Sequence, residues 1–247
     1  MPKMIKEKLR CIYWNYIKKE ANFKISFKKN FWEVKLLNGL KFKFLQNPYP
    51  YFLDVKHYFR HYRLKKGDNI IDAGAYPGDF AMYCAKKVYP GKVVAFEPDE
   101  KNYSRTKRNI ELNKIDNIIL IQKAIFSKEG QINFDNENKE DSKISPTGKD
   151  KIYAVVLDKE LKRIGIQKID FLKIDIEGAE LEAIKGINQI LKENPSYELA
   201  VASYHIVNGE KTRYRLEEAF KKMGLKSFTL GPPHTTTFAF KDDYLFL

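Results

Sequence analysis

Asp175, Glu177 and Glu180 crowd the run I-D-F-L-K-I-D-I-E-G-A-E-L at residues 169–181. Carboxylates this close can orient a reacting hydroxyl or a ligand's polar end, or hold a hard divalent cation. They can equally serve only to cap the following helix and favour its positive end. A cap needs one carboxylate, and three stand here. His205 is the candidate partner for proton transfer, since an unperturbed imidazole titrates near neutral pH.

These groups depend on the elements that carry them. The run is mostly apolar and β-branched up to Asp175, as in a parallel-sheet strand covered on both faces. Gly178 and apolar positions at Leu181, Ile184, Ile187 and Leu191 then predict a helix. Ligands of open α/β sheets bind just beyond the carboxyl ends of strands, which is where Asp175 lies. A second strand ends at Asp72 in N-I-I-D-A-G-A-Y-P-G-D-F, residues 69–80; a turn with Gly74 and Gly78 leads to a helix that runs to Val88 and stops at Pro90-Gly91. Glycines suit a backbone that must come close to a ligand, and the helix start offers unpaired N–H groups. The spacing is neither G-x-G-x-x-G nor a phosphate loop.

The next strand, residues 92–96, ends in Glu97, and Pro98-Asp99 opens a helix to Asn113. Glu97 is placed to accept both ribose hydroxyls of a nucleoside cofactor; the plainer alternative is a charge at that helix's N-terminus. A third strand at 117–122 leads to Lys123-Ala124, where an adenine would lie. Residues 135–151 are almost wholly polar, either a disordered insertion or a lid. A strand at 152–157 ends at Asp158. Another at 198–204 delivers His205 to the same sheet end as Asp175, followed by a helix at 210–223 and strands at 226–230 and 235–240.

D-A-G-A-Y-P-G-D-F, A-F-E-P-D-E-K-N-Y, V-V-L-D at 155–158 and F-L-K-I-D-I-E-G-A-E together resemble the FkbM family of S-adenosylmethionine-dependent methyltransferases. The resemblance covers about residues 67–247, with Tyr76 at the place of a second loop glycine. It implies an α/β Rossmann-like class I methyltransferase fold: a seven-stranded, mostly parallel sheet with an antiparallel last strand. It also implies O-methylation of a hydroxyl on a sugar, glycolipid or other small molecule. Carried onto this sequence, the cofactor residues are Asp72, Gly74, Ala75, Tyr76, Gly78, Phe80, Glu97, Pro98, Ala124 and Asp175. For chemistry the expectation is His205 as general base, matching a histidine common at that place in the family. Asp175 would orient the hydroxyl or the cofactor's methionine end, with Lys173 as a partner in the charge cluster. The competing account puts a divalent metal on Asp175, Glu177 and Glu180.

Residues 1–66 lie outside those motifs and form a basic N-terminal extension. They hold 17 lysines and arginines against 4 aspartates and glutamates, which is the whole of the net +13; the other 181 residues balance at 28 of each sign. Such asymmetry suggests an anionic partner, either a membrane or RNA, or else a merely solvated face. Ile5, Leu9, Ile12, Tyr13, Tyr16 and Ile17 recur at helical spacing among lysines. That amphipathic stripe is expected to pack on its own protein, with a membrane interface as the alternative. Strands at 32–36 and 40–44 flank Asn38-Gly39, predicting a hairpin with a two-residue type I′ turn. Residues 51–62 read as a helix with Phe52, Val55, Tyr58, Phe59 and Tyr62 available for burial, and His57 and His61, one turn apart without a third ligand, read as surface residues. At 43% hydrophobic over 247 residues the chain can bury a core. It shows no run of eighteen apolar residues and no apolar leader, and Cys11 and Cys84 make no disulfide framework. The expected setting is cytoplasmic, with peripheral contact at the inner membrane face. Two other functions stay open: an RNA methyltransferase using the basic region, and a non-catalytic cofactor-binding membrane tether.

Overall fold

Short β-branched runs flanked by glycine turns build the centre of the molecule. β4 (Ile70–Ala73), β5 (Val93–Phe96), β6 (Ile118–Ile121), β11 (Phe171–Ile174) and β12 (Glu198–Ala202) run parallel, and β4, β5, β11 and β12 are buried throughout. The computed structural model describes residues 3–17, 23–48, 55–135, 143–144, 147–187, 189–194, 196–207, 209–231 and 234–241. The sheet order is β15-β16-β12-β11-β4-β5-β6, with β15 at Lys226–Leu230 and β16 at Thr236–Phe240, while β13 (Ile206–Val207) and β14 (Glu210–Lys211) pair separately as a short antiparallel ribbon. β16 is antiparallel to both its neighbours, so the expected seven-stranded sheet with its reversed last strand is present.

Helices α2 (Asp79–Val88), α3 (Glu100–Asn113), α4 (Leu157–Arg163), α5 (Glu180–Lys185), α6 (Gln189–Glu193) and α7 (Thr212–Lys222) supply the outer layers. The helix expected after Asp175 is two short ones, because the chain turns at Gly186. On one face Ile71, Leu172, Leu199 and Phe220 share a core; on the other Ile70, Phe80, Phe171 and Phe238 do.

The polar stretch at 135–151 departs from expectation where it is described. β8 (Gly130–Asp135), β9 (Lys143–Ile144) and β10 (Asp150–Val155) join β7 (Ala124–Ile125) in a second sheet; residues 136–142 and 145–146 lie outside the described residues. The strand expected to run to Asp158 stops at Val155; Asp158 sits in the first turn of α4, and its carboxylate accepts from the N–H groups of Gln189 and Ile190.

The N-terminal part docks on α3. β1 (Phe23–Lys28), β2 (Phe31–Leu36) and β3 (Lys41–Phe44) form an antiparallel sheet, and Asn109 and Asn113 of α3 hold the backbone of Leu45 and Lys43. β1 is absent from the sequence-based expectation. The β2–β3 turn also differs, having three residues instead of two, with Gly39 at φ 87 and the Leu36 N–H bonded to the Leu40 carbonyl. The reason is register: the observed pairing sets Trp32 opposite Phe44 and Val34 opposite Phe42, whereas a two-residue turn would slip it by one and set Phe42 against Lys35. Of the expected helix at 51–62, residues 51–54 lie outside the described residues and only Val55–Tyr58 makes a helical turn.

Candidate active site

A cavity of about 500 Å³ opens at the carboxyl ends of β4, β5 and β11, in the size range of small-molecule sites. Of the expected cofactor residues, Gly74, Tyr76, Phe80, Glu97, Pro98, Ala124 and Asp175 line it. Asp72, Ala75 and Gly78, also expected there, are not among its lining residues. Phe134 and Ile144, from the second sheet, close the side next to Ala124, and Asp79, Asn102 and Lys123 also line it. Sequence alone assigns no role to Asp79 and Asn102, although both lie inside the motifs, and names Lys123 only beside Ala124; Phe134 and Ile144 lie outside every motif.

The glycine turn is held by charge. Lys173, buried in β11, lies 3.0 Å from Asp72 Oδ1 and donates to the Gly74 carbonyl at 2.7 Å. Burial works against its charge, but Asp72 and Asp175 outweigh that and raise its pKa. Lys173 is therefore a positioning group for the turn, set on Asp72 and not among the acidic groups beyond Asp175. Gly74 has φ 82, and a Cβ there would fall 1.9 Å from the Asp175 carbonyl oxygen, so only glycine lets the turn pass the end of β11.

Glu97 sits at the end of β5, its oxygens accepting from the N–H groups of Tyr76 (3.2 Å) and Asp99 (3.1 Å). It is not the helix cap; Asp99 fills that place by accepting from the Asn102 N–H at 2.8 Å. Burial, opposed by the two backbone donors, pushes the Glu97 carboxyl up to about 7. A buried carboxylate with lone pairs left over and facing a cavity suits a vicinal diol. Glu97→Ala is thus expected to weaken S-adenosylhomocysteine binding about tenfold to a hundredfold, the worth of a charge-assisted hydrogen bond. In the wild type the affinity should also fall as pH drops below about 7, where the carboxyl gains a proton. Calorimetry from about pH 6 to 8 checks both, and unchanged affinity in the variant would remove the assignment.

Asp175 is held by two tyrosines. Tyr58 donates to Oδ2 at 2.7 Å and Tyr204 to Oδ1 at 3.1 Å. Both rings line the cavity, as does His234, whose backbone carbonyl bonds His57 Nε2. His234 had no sequence signal, and Tyr58 read only as a burial residue of the extension. The carboxylates do not cap α5: its N-cap, Ala179, has no side-chain cap, and buried Glu180 instead takes the N–H groups of Ile176 and Gly178. Between them Glu177 adopts φ 55, which carries its side chain to the cavity wall.

His205 lies behind this wall. Its Nδ1 is 2.9 Å from Glu180 Oε1, and its Nε2 is 3.3 Å from Glu177 and 3.8 Å from Asp175. Burial alone would lower its pKa, but Glu177, Glu180 and Asp175 carry it up to about 10. At neutral pH it is an imidazolium, unlike the free base near 6.5 expected from sequence. A raised folded pKa stabilises the fold below the unfolded value of about 6.5, and that contribution is lost as pH rises through about 10. The stability gap between wild type and His205→Gln, from urea unfolding, should be full near pH 6 and closed above pH 10 (rounded values); a gap independent of pH would contradict the ion-pair geometry.

The metal donors that converge among the described residues are Asp175, Glu180 and His205, with one ligand atom from each within 4.8 Å of the others. His205 replaces Glu177 in the set expected from sequence. His61 is exposed and does not join it.

The chain matches the family described as "Methyltransferase FkbM domain" over residues 72–223. It is 31% identical to Methyltransferase sdnD of Sordaria araneosa, covering 49% of this chain and 60% of that one. It is 27% identical to Hexuronic acid methyltransferase AglP of Haloferax volcanii, covering 52% and 53%. The chain thus spans little more than half the length of these curated relatives. Among solved structures, Aeropyrum pernix fibrillarin with natively bound S-adenosyl-L-methionine superposes at TM-score 0.50 and 12% identity, covering 87% of this chain and 97% of that one, a likeness of fold. With the glycine turn at Gly74, the acidic strand ends at Glu97 and Asp175 and the reversed last strand all in place, and with more than half its length matched, this chain belongs to the FkbM methyltransferase family.

Proposed function

We propose that this protein is an S-adenosylmethionine-dependent methyltransferase acting on a hydroxyl of a sugar, glycolipid or similar small molecule, with Asp175 receiving the acceptor's proton. The observation that carries it is the Asp175 carboxylate, fixed at the cavity wall by two tyrosine hydroxyls where the β4 turn meets β11. S-adenosylmethionine, when bound, supplies an electrophilic methyl on a sulfonium that leaves as a neutral thioether. Glu97 would hold the ribose end, and Gly74 and Tyr76 the backbone cradle. Asp175 would orient the attacking hydroxyl and take its proton as the C–O bond forms. Alignment of this kind supplies several kcal/mol, and general base catalysis about 10²–10⁴-fold.

His205 fits a positioning role here. An imidazole with a pKa of about 10 has no lone pair to offer at neutral pH, and its charge stands 3.3 Å from Glu177 and 3.8 Å from Asp175. Support for a sugar-like acceptor comes from the wall itself: the rings of Tyr58, Tyr204 and His234 suit the C–H face of a polyol, and Asp175 and Glu177 its hydroxyls. A relative that acts on hexuronic acid adds to this.

The second reading is a divalent cation on Asp175, Glu180 and His205, favoured by their convergence. Incubating the protein with methyl-labelled cofactor and separate glycan, glycolipid and RNA fractions tests the proposal. Label in a glycan or glycolipid hydroxyl is expected. Label confined to RNA, or cofactor binding with no transfer to any fraction, would overturn it.

A further inference from the structure

The first helix, α1 (Lys3–Ile12), turns its apolar face outward. Cys11 and Glu7, one turn apart, face the protein and are buried, and Asn15 grips the backbone of Ile25 on edge strand β1 through both its amide atoms, at 2.7 and 2.8 Å. The face away from that anchor carries Ile5, Leu9 and Ile12, exposed at 43%, 50% and 54%. The stripe expected to pack on its own protein is therefore left bare. Eight of the twelve large apolar side chains exposed among the described residues lie before residue 46, so the bare surface is concentrated in the basic extension.

We propose that α1 seats this protein on an anionic lipid bilayer, with Ile5, Leu9 and Ile12 in the interface and Lys6 and Lys8 at phosphate headgroups. At about 3.6 residues per turn, Lys6 and Lys8 fall on either side of the apolar stripe, and both are exposed. That order is the one an interfacial helix needs: aliphatic groups at the headgroup boundary, cations reaching anionic lipid. Charge selects the occupant. Residues 1–66 carry all of the net +13, so a second copy would bring like charges together. An RNA would satisfy the lysines and leave three aliphatic side chains without a partner. Asn15, three residues past the helix, ties its C-terminal end to β1.

The test is sedimentation of the full chain with equimolar phosphatidylglycerol–phosphatidylcholine vesicles and with phosphatidylcholine vesicles alone, at about 0.05 and 0.5 M salt. The comparison protein is Ile5→Glu/Leu9→Glu; both side chains are exposed, so its fold should be intact, with unchanged S-adenosylhomocysteine affinity as the control. Wild type should bind the anionic vesicles at least about tenfold more tightly than the neutral ones and lose most of this at high salt. The variant should bind at least about tenfold more weakly. No binding to anionic vesicles, or equal binding by the variant, would overturn the proposal. So would a dimer that the variant dissolves with no vesicle binding by either protein, which would assign the stripe to a second copy. Homopolymeric RNA binding without vesicle binding would assign the charge to nucleic acid and equally overturn it.

Discussion

Asp175→Asn should lower single-turnover methyl transfer by about 10²–10⁴-fold while leaving S-adenosylhomocysteine affinity within about threefold. Asparagine keeps the size of the side chain and can still meet one of the hydroxyls of Tyr58 and Tyr204, so the wall stays built. What it loses is the charge that attracts a proton as the acceptor oxygen attacks. His205→Ala is the companion. It removes the cation lying 3.3 Å from Glu177 and 2.9 Å from Glu180, leaving carboxylates to repel one another, and should act on the same step by a smaller factor. The two effects should not add, because both pass through one charge cluster. EDTA separates the accounts: turnover that survives chelation keeps Asp175 as the proton acceptor, whereas turnover lost on chelation and restored by a divalent cation moves the role to a metal on Asp175, Glu180 and His205. Full speed in Asp175→Asn would end the general-base reading.

Lys173→Met is expected to cost about 3–5 kcal/mol of folding stability, the usual result of removing one partner of a buried ion pair. Asp72 is fully buried, and Lys173 is the cation 3.0 Å from it. Without that ammonium the aspartate must take up a proton or remain an uncompensated charge. The loss is large against the ~5–15 kcal/mol that holds a domain together. The Gly74 carbonyl loses its donor too, so cofactor affinity should fall alongside stability. Adding Asp72→Asn should return part of the stability but not the affinity, since a neutral pair packs without holding the turn. Urea unfolding and calorimetry on the wild type and the two variants measure this; a loss below about 1 kcal/mol in Lys173→Met would show that the pair is solvated and not structural.

The order of the central sheet's elements was legible in the chain because its signals are local. Residues 70–73, 93–96 and 171–174 are short, mostly apolar runs that contain Asp72 or lead directly into Glu97 and Asp175, and Gly74 and Gly78 mark the turn between β4 and α2. Strand length, β-branching and the position of a carboxylate at a strand end are properties of neighbours in sequence, and they place Glu97 and Asp175 at the cavity before any folding is considered. What surrounds Asp175 is of another kind. The Tyr58 hydroxyl comes from 117 residues away, and Tyr58 looked like one more aromatic residue of the extension. His234 and Phe134 reach the cavity through strand pairings that no motif announces. His205 could be placed at its strand end from sequence, but its charge could not, because three carboxylates gather around it only when β11 and β12 lie side by side. Periodicity likewise showed that α1 has an apolar stripe, but the expectation that this stripe packs on the protein was wrong. Asn15, bonded to the edge of β1, turns Cys11 inward and leaves Ile5, Leu9 and Ile12 outside: local pattern sets an element's faces, and only long-range packing decides which of them meets water.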